Sequence, residues 1–128
     1  MKTVKIVHTS ITVKNMDESI KFYRDIMGME LLRRREIPEN KAEIAFLQDS
    51  QGGDTLELTW WKEKTDWTSG DELDHLAFSV PDMDKAMERF KKSGVKVAKE
   101  PYSLLGSTSR IAFIEDPNGI WLELIESR

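Results

Sequence analysis

The sequence has 128 residues, enough for one domain with a substantial hydrophobic core, and it carries no cysteine and a formal net charge of −4 at pH 7. The negative charge disfavours a nucleic-acid partner, and the lack of cysteine excludes disulfides, thiolate metal ligands and a cysteine nucleophile. No segment has the apolar length of a membrane span or of a signal peptide, so we expect a cytoplasmic protein without a membrane partner.

The first half of the chain predicts one strand, one helix and three more strands. Side chains alternate in character along residues 7–13, which is typical of a strand with one buried face. Asn15 is a suitable N-cap for the helix that follows, and Gly28 stands where that helix should end. The remaining strands are predicted at about residues 30–36, 42–48 and 55–61.

The second half of the chain repeats this order. Residues 8–24 and 75–91 both open with histidine and share a valine, a Met-Asp pair and an aromatic residue at matching positions. Asp82 is the expected cap of the second helix, and Ser93-Gly94 is its expected end. The strands that follow are predicted at about residues 95–99, 109–115 and 120–126.

The repeat predicts an α+β protein built from two tandem βαβββ modules, with the helices on one face of a mixed sheet. The offset between matching residues is 67 through most of the chain and 66 at the glycine after the helix and at the Leu-Glu-Leu motifs. We expect one domain, 1–128, with module one at about 1–64 and module two at about 70–128.

The two histidines of the chain and two glutamates occupy equivalent repeat positions. Strand alternation predicts that the leucines beside each glutamate face the helices, while the histidines and glutamates share the opposite face. Two imidazoles and two carboxylates are a suitable ligand set for a divalent first-row metal, with open positions left for catalysis. The alternative is four ordinary strand residues, but the symmetry of the set favours a metal site. The four candidate ligands are His8, Glu57, His75 and Glu123.

Several stretches of the sequence resemble the glyoxalase I branch of the vicinal oxygen chelate superfamily. They are His8-Thr9, residues 20–23 (IKFY), Gly28-Met29, residues 31–33 (LLR), Ala45-Phe46, residues 56–59 (LELT), His75 and residues 112–126 (AFIEDPNGIWLELIE). The resemblance covers nearly the whole chain. It implies that the two modules form a curved mixed sheet around a metal cleft whose ligands are His8, Glu57, His75 and Glu123.

The resemblance also implies an activity. Glyoxalase I is a lyase that isomerises the hemithioacetal of methylglyoxal and glutathione to S-lactoylglutathione through an enediolate. Carried over to this chain, Glu123 is the expected base and Glu57 its symmetric partner. The expected cofactor is one divalent metal ion per site, nickel or cobalt in preference to zinc, and the expected assembly is a homodimer acting on a small-molecule substrate.

The residues that contact glutathione in bacterial members of the family are not found at the matching positions of this sequence. Where bacterial members of the family carry an arginine, an asparagine and a lysine, this chain has Thr12, Trp61 and Leu105. A second hypothesis is therefore another metal-dependent enzyme of the superfamily, an epimerase or a dioxygenase, acting on a substrate other than a glutathione adduct. A third is a resistance protein that binds a small aromatic drug through its tryptophans.

Other residues are candidates for substrate binding. Trp61 and Trp121 are predicted on the face of the metal ligands, where they would form an apolar wall or an interface. Arg110 is a candidate for binding a substrate carboxylate, and Thr12 is a further candidate. The run Arg33–Arg35 is interpreted as a solvated strand rather than as an anion site.

Overall fold

A computed structural model of the chain describes residues 6–68, 70 and 73–127. The chain divides into two compact units, Met1–Thr68 and Ser69–Arg128. Each unit contains a four-stranded mixed sheet and its own helix, so the α+β class and the tandem βαβββ order are confirmed. No helix within the described ranges is long and apolar enough to cross a membrane.

Unit 1 has strand order β1-β4-β3-β2 in its sheet. Strand β1 runs parallel to β4, whereas β3 is antiparallel to both β4 and β2. The elements are β1 (His8–Thr12), α1 (Met16–Lys21), a π-helical turn (Phe22–Ile26), β2 (Glu30–Ile37), a 3-10 turn (Pro38–Asn40), β3 (Ala42–Gln48) and β4 (Thr55–Trp61).

Unit 2 repeats the arrangement with strand order β5-β8-β7-β6. Strand β5 runs parallel to β8, and β7 is antiparallel to β8 and β6. The elements are β5 (Leu76–Val80), α2 (Met83–Lys92), β6 (Lys96–Ser103), β7 (Arg110–Glu115) and β8 (Trp121–Glu126). Strand β6 extends to Ser103, beyond the predicted end at residue 99.

Both helices begin at the predicted caps. The side chain of Asn15 accepts a hydrogen bond from the backbone N–H of Glu18, with a separation of 2.9 Å. Asp82 does the same for Lys85 at 3.1 Å. Each cap satisfies an N–H group that has no partner within its helix, which fixes where the helix starts and therefore which side chains face the sheet.

The two helices end differently, and the difference explains one shift in the repeat offset. After α1 the chain adds the π-helical turn, in which the N–H of Met27 donates to the carbonyl of Phe22. Helix α2 has no such turn. The N–H of Val95 donates to the carbonyl of Phe90, five residues back, whereas the matching bond in unit 1 runs from the N–H of Met29 to the carbonyl of Tyr23, six residues back. A π-helical turn closes over one more residue than an α-helical turn, so it can hold one additional residue. The first helix therefore has one more residue than the second, and this residue changes the offset from 67 to 66 at the glycine that follows.

One face of each sheet forms the hydrophobic core against the helix of its unit. In unit 1, Leu56 and Leu58 are buried on this face, and α1 packs on β4. In unit 2, Leu122 and Leu124 are buried in the equivalent positions, and α2 packs on β8 and β6. Because strand side chains alternate between faces, the residue between each pair of leucines must point away from the core.

Candidate metal centre

His8 and Glu57 lie together on the face of the unit 1 sheet that points away from α1. Glu57 is held there because its neighbours in β4 are buried on the helix side. In the parallel register of β1 and β4, Glu57 is opposite Ser10, so His8 shares its face. The Nε2 atom of His8 lies 3.7 Å from Oε1 of Glu57.

His75 and Glu123 form the equivalent pair in unit 2. His75 directly precedes β5, and Glu123 is opposite Ala77 in the parallel register of β5 and β8. The Nε2 atom of His75 lies 3.1 Å from Oε1 of Glu123. The duplicated sequence therefore places one imidazole beside one carboxylate in each unit.

The two pairs have similar surroundings. The carboxylate side chains are mostly sheltered, with exposed fractions of 15% for Glu57 and 17% for Glu123. The imidazoles are more accessible, at 38% for His8 and 33% for His75. A sheltered carboxylate beside an accessible imidazole nitrogen is a suitable pair of ligands, because both donors can reach an ion from one side of the sheet.

The separations within the pairs fit shared coordination of an ion. Two donor atoms bound at about 2.1 Å to one ion are about 3.0 Å apart at a right angle and about 3.4 Å apart at the tetrahedral angle. The observed 3.1 and 3.7 Å lie near these values. Among residues 6–68, 70 and 73–127, no group of three or more histidine, cysteine, aspartate or glutamate side chains is arranged to hold an ion. Each unit by itself contains one imidazole beside one carboxylate.

Asp74 orients the imidazole of unit 2. Its Oδ1 atom lies 2.7 Å from Nδ1 of His75, so an Nδ1–H group donates to Asp74, and Nε2 is the ring nitrogen on the side of Glu123. The hydrogen bond with Asp74 raises the pKa of His75 above its ordinary value; the charge of Glu123 acts in the same direction and burial opposes it. Asp74 therefore favours both the positive form of His75 and one orientation of its ring.

In each pair the histidine contacts a phenylalanine that was not selected from the sequence. Phe46 is paired with Glu57 across β3 and β4, and its ring meets that of His8 edge-on at 5.5 Å. Phe113 is paired with Glu123 across β7 and β8, and its ring meets that of His75 at 5.7 Å. The sequence does contain a pattern that points to these two phenylalanines. The Ala-Phe dipeptide occurs in both halves, and its phenylalanines match at an offset of 67.

Three candidate substrate-binding residues lie on the same face as the histidine and glutamate of their unit. The register places Thr12 opposite Thr59, and both share the face of Glu57 with Trp61. In unit 2, Trp121 shares the face of Glu123 and packs against Phe113 at 5.4 Å between ring centroids. Both tryptophans are exposed, so their rings are available for contact with a ligand.

Arg110 does not join this group. It lies on the helix face of its sheet, where its guanidinium group is hydrogen-bonded to Glu126 at 3.2 Å and to Asp84 at 3.0 Å. Glu126 also accepts the backbone N–H of Met83 at the start of α2. The arginine therefore ties a helix to a strand, and this placement argues against the substrate-binding role expected from the sequence.

Comparison with known proteins identifies the family. Residues 5–124 match the model of the Glyoxalase/Bleomycin resistance protein/Dioxygenase superfamily. A protein of Haemophilus influenzae named lactoylglutathione lyase is 39% identical over 129 residues, which are 98% of this chain and 94% of that protein.

Solved structures agree with this relationship. Glyoxalase I from Zea mays is 33% identical, with a TM-score of 0.86 over 96% of this chain, although the match spans only 44% of the maize chain. The trypanothione-dependent glyoxalase I of Leishmania major is 31% identical, with a TM-score of 0.83 over 97% of this chain and 87% of that one. The resemblance to glyoxalase I is therefore confirmed, and the chain belongs to the Glyoxalase/Bleomycin resistance protein/Dioxygenase superfamily.

Proposed function

We propose that the chain is a metal-dependent lyase of the glyoxalase I type. It converts the hemithioacetal of a 2-oxoaldehyde and a thiol to a 2-hydroxyacyl thioester, with methylglyoxal and glutathione as the first substrates to test. The observation that carries the proposal is the repeated pair of one imidazole and one carboxylate, 3.1 and 3.7 Å apart, on the open face of each sheet. The name of the Haemophilus relative supports the same reaction.

The proposed ligands are two residues from each unit, His8 and Glu57 with His75 and Glu123. All four donors are nitrogen or carboxylate oxygen, which suits nickel or cobalt, with zinc as the alternative. When bound, a divalent cation would supply Lewis-acid stabilisation of the negative charge that develops on the two neighbouring oxygens of the substrate. We expect the working assembly to be a homodimer, in which the four ligands come from one chain or from two.

Glu123 is the proposed base. Its carboxylate takes the proton from the carbon that bears sulfur, and returns the proton to the neighbouring carbonyl carbon. One C–H bond breaks and one forms, while the hydroxyl proton passes from one oxygen to the other. The product is an isomer of the substrate, so the reaction needs no oxidant, reductant or second reactant. Glu57 is the symmetric candidate for the same role.

The aromatic residues shape the surroundings of this chemistry. The rings of Phe46 and Phe113 contact those of His8 and His75, and Trp121 extends the apolar surface beside Phe113. Such an apolar surface excludes water from the place where the substrate would bind. The two exposed tryptophans also keep open a second candidate function, the binding of an aromatic drug without catalysis.

The test is an isomerase assay on protein stripped of metal. Methylglyoxal and glutathione are supplied, Ni²⁺, Co²⁺ and Zn²⁺ are titrated separately, and formation of the thioester is followed by its absorbance. We expect turnover that depends on added metal and is greatest with Ni²⁺ or Co²⁺. Metal binding without turnover would move the assignment to another substrate of the superfamily. Tryptophan quenching by aromatic ligands in protein that binds no metal would favour drug binding.

A further inference from the structure

Three consecutive arginines in β2 differ in what their guanidinium groups contact. They are Arg33, Arg34 and Arg35, and all three are exposed. Arg33 is paired with Phe46, and Phe46 is paired with Glu57, so Arg33 lies on the open face of the unit 1 sheet. Because side chains alternate along a strand, Arg35 shares this face and Arg34 points to the helix side. Exposure alone does not distinguish the three arginines, but their faces do.

Every guanidinium nitrogen of Arg34 has a carboxylate partner. Its Nε and Nη2 atoms donate to Glu43 at 3.0 and 2.9 Å, and Nη1 lies 2.7 Å from Oδ1 of Asp17 in α1. The hydrogen bond with Glu43 raises the pKa of Arg34 most; burial opposes it, and Asp17 raises the pKa further. The two carboxylates therefore hold this guanidinium group in its charged form.

Arg110 in unit 2 is engaged in the same way. Its Nε and Nη2 atoms donate to Glu126 at 3.2 Å, and Nη1 donates to Asp84 at 3.0 Å. The hydrogen bond with Glu126 raises the pKa of Arg110 most, and that with Asp84 raises it further. Asp84 follows Asp17 by 67 residues, so the two helices supply carboxylates from equivalent repeat positions. Each unit thus has one arginine whose nitrogens are all engaged on the helix face.

The two outer arginines of β2 have different surroundings. The guanidinium carbon of Arg33 lies 4.5 Å from the centre of the Phe46 ring, and Arg35 is paired with Ile44. A ring contact is a weak attraction and provides no acceptor for the N–H groups. Within residues 6–68, 70 and 73–127, neither guanidinium group forms an ion pair or a hydrogen bond with a carboxylate. The nitrogens of both groups are therefore accessible to a reagent.

We propose that Arg33 and Arg35 are sites at which a 2-oxoaldehyde such as methylglyoxal modifies the protein covalently. The choice of aldehyde rests on the proposed function, whereas the selectivity rests on the hydrogen bonds. The guanidinium group first gives one proton to water. One Nη atom then adds to the aldehyde carbon and the other to the ketone carbon, so two C–N bonds form and both oxygens become hydroxyl groups. Loss of one water molecule and an internal proton shift give a hydroimidazolone, and no oxidant or reductant is consumed.

This chemistry discriminates between the two kinds of arginine. Ring formation needs a neutral guanidine group and both Nη atoms. In Arg34 and Arg110, carboxylates stabilise the charged form and occupy both atoms, so these two arginines are protected. The carbonyl group of the product withdraws electrons and makes the modified side chain much less basic. Each modification therefore removes one positive charge from the sheet face that carries His8 and Glu57.

Mapping by mass spectrometry tests the proposal. Protein without thiol or added metal is treated with methylglyoxal at neutral pH and then cleaved after glutamate, which leaves residues 31–36 as one peptide with all three arginines. Arg33 and Arg35 should be modified at least about tenfold faster than Arg34 and Arg110, since each unit by which a pKa is raised lowers the neutral fraction tenfold. Equal rates along the peptide, or the fastest rate at Arg34, would overturn the proposal.

Cleavage before treatment is the matched control. The free peptide keeps the three arginines but lacks Glu43 and Asp17, so Arg34 should then react within about twofold of its neighbours. A rate at Arg34 that stays low in the free peptide would assign the selectivity to local sequence and refute the proposal. In the folded protein, Asp17→Asn combined with Glu43→Gln should raise the rate at Arg34 toward that of Arg33 and leave Arg110 protected. An unchanged rate at Arg34 in this variant would contradict the proposal as well.

The outcome is independent of isomerase activity. No thiol is present during the treatment, so no hemithioacetal forms and the isomerase reaction does not occur. If the isomerase assay is negative while Arg33 and Arg35 are modified selectively, the proposed function fails and this inference stands. Metal-dependent turnover together with unselective modification would give the reverse result.

Discussion

The Nε2 atom of His75 lies 3.1 Å from Oε1 of Glu123, closer than the 3.7 Å that separates the same atoms of His8 and Glu57. The duplicated sequence therefore gives two pairs that are alike in chemistry but differ in detail. The difference matters because His75 has an additional partner, Asp74, for which β1 offers no counterpart: the residue before His8 is Val7.

Replacement of the two glutamates tests which carboxylate moves the proton. Glu123→Gln should lower kcat by a factor of about 10² to 10⁴, which is the usual contribution of a general base, because glutamine cannot accept the proton. Glu57→Gln is the matched variant and should lower kcat less, since it removes only a ligand charge. Metal content is measured in both proteins. A larger loss of kcat in Glu57→Gln would assign the base to unit 1.

Replacement of each histidine tests the four-ligand site. His8→Ala and His75→Ala should each weaken Ni²⁺ binding by about a hundredfold or more, since loss of groups that merely support metal ligands already costs 10- to 100-fold. Isothermal titration of metal-free protein gives the affinity and the number of ions per chain. If His8→Ala binds Ni²⁺ as wild type does, unit 1 contributes no imidazole and the ligand set is wrong.

Asp74→Asn should lower the pKa of His75, because the hydrogen bond that stabilises the positive imidazole is weakened. A raised pKa in the folded protein stabilises it at low pH, and this contribution is lost as the pH rises through that pKa. The stability difference between wild type and Asp74→Asn should therefore be present below about pH 6 and vanish at higher pH. NMR titration of the imidazole in metal-free protein, with denaturation at several pH values, measures both effects. An unchanged pKa would rule out this role for Asp74.

Arg110→Gln should affect the fold more than the reaction. The arginine joins Glu126 and Asp84 on the helix face, so its loss should lower the denaturation midpoint and leave KM within about twofold of wild type. Chemical denaturation and kinetics on the same preparation separate the two effects. A large rise in KM with unchanged stability would restore Arg110 to the substrate site.

Deletion of Asp25 tests the origin of the π-helical turn. The residue is exposed and its contact with Arg24 is a surface ion pair of small value, so the shortened chain should fold with a helix end like that of α2. Circular dichroism and denaturation should show a change in the free energy of unfolding of no more than about 1 kcal/mol. Deletion of Glu88 is the control. Helix α2 contains no additional residue, so this deletion should strongly destabilise the folded protein.

Much of the fold could be predicted because its signals are local. The strands at 30–36, 42–48 and 55–61 agree with β2, β3 and β4 within a residue, since alternation of side chains follows directly from a sheet with one buried face. Both caps were also found, because Asn15 and Asp82 act on backbone groups only three residues away. Strand β6 was predicted too short, because its register shifts interrupt the alternation.

The sequence by itself determined the duplication, the two modules and the pairing of each histidine with a glutamate, because these depend on repeated residues and on the period of two in a strand. Only the tertiary structure decided which cationic side chains lie on the sheet face of the histidines and glutamates. Alternation alone would direct Lys99 to the helix side with Val97, yet a bulge turns it toward Phe113. Arg110, a candidate for substrate binding from the sequence, is held on the helix side by Glu126. A bulge is a property of two paired strands, so the order of residues along one strand cannot reveal it.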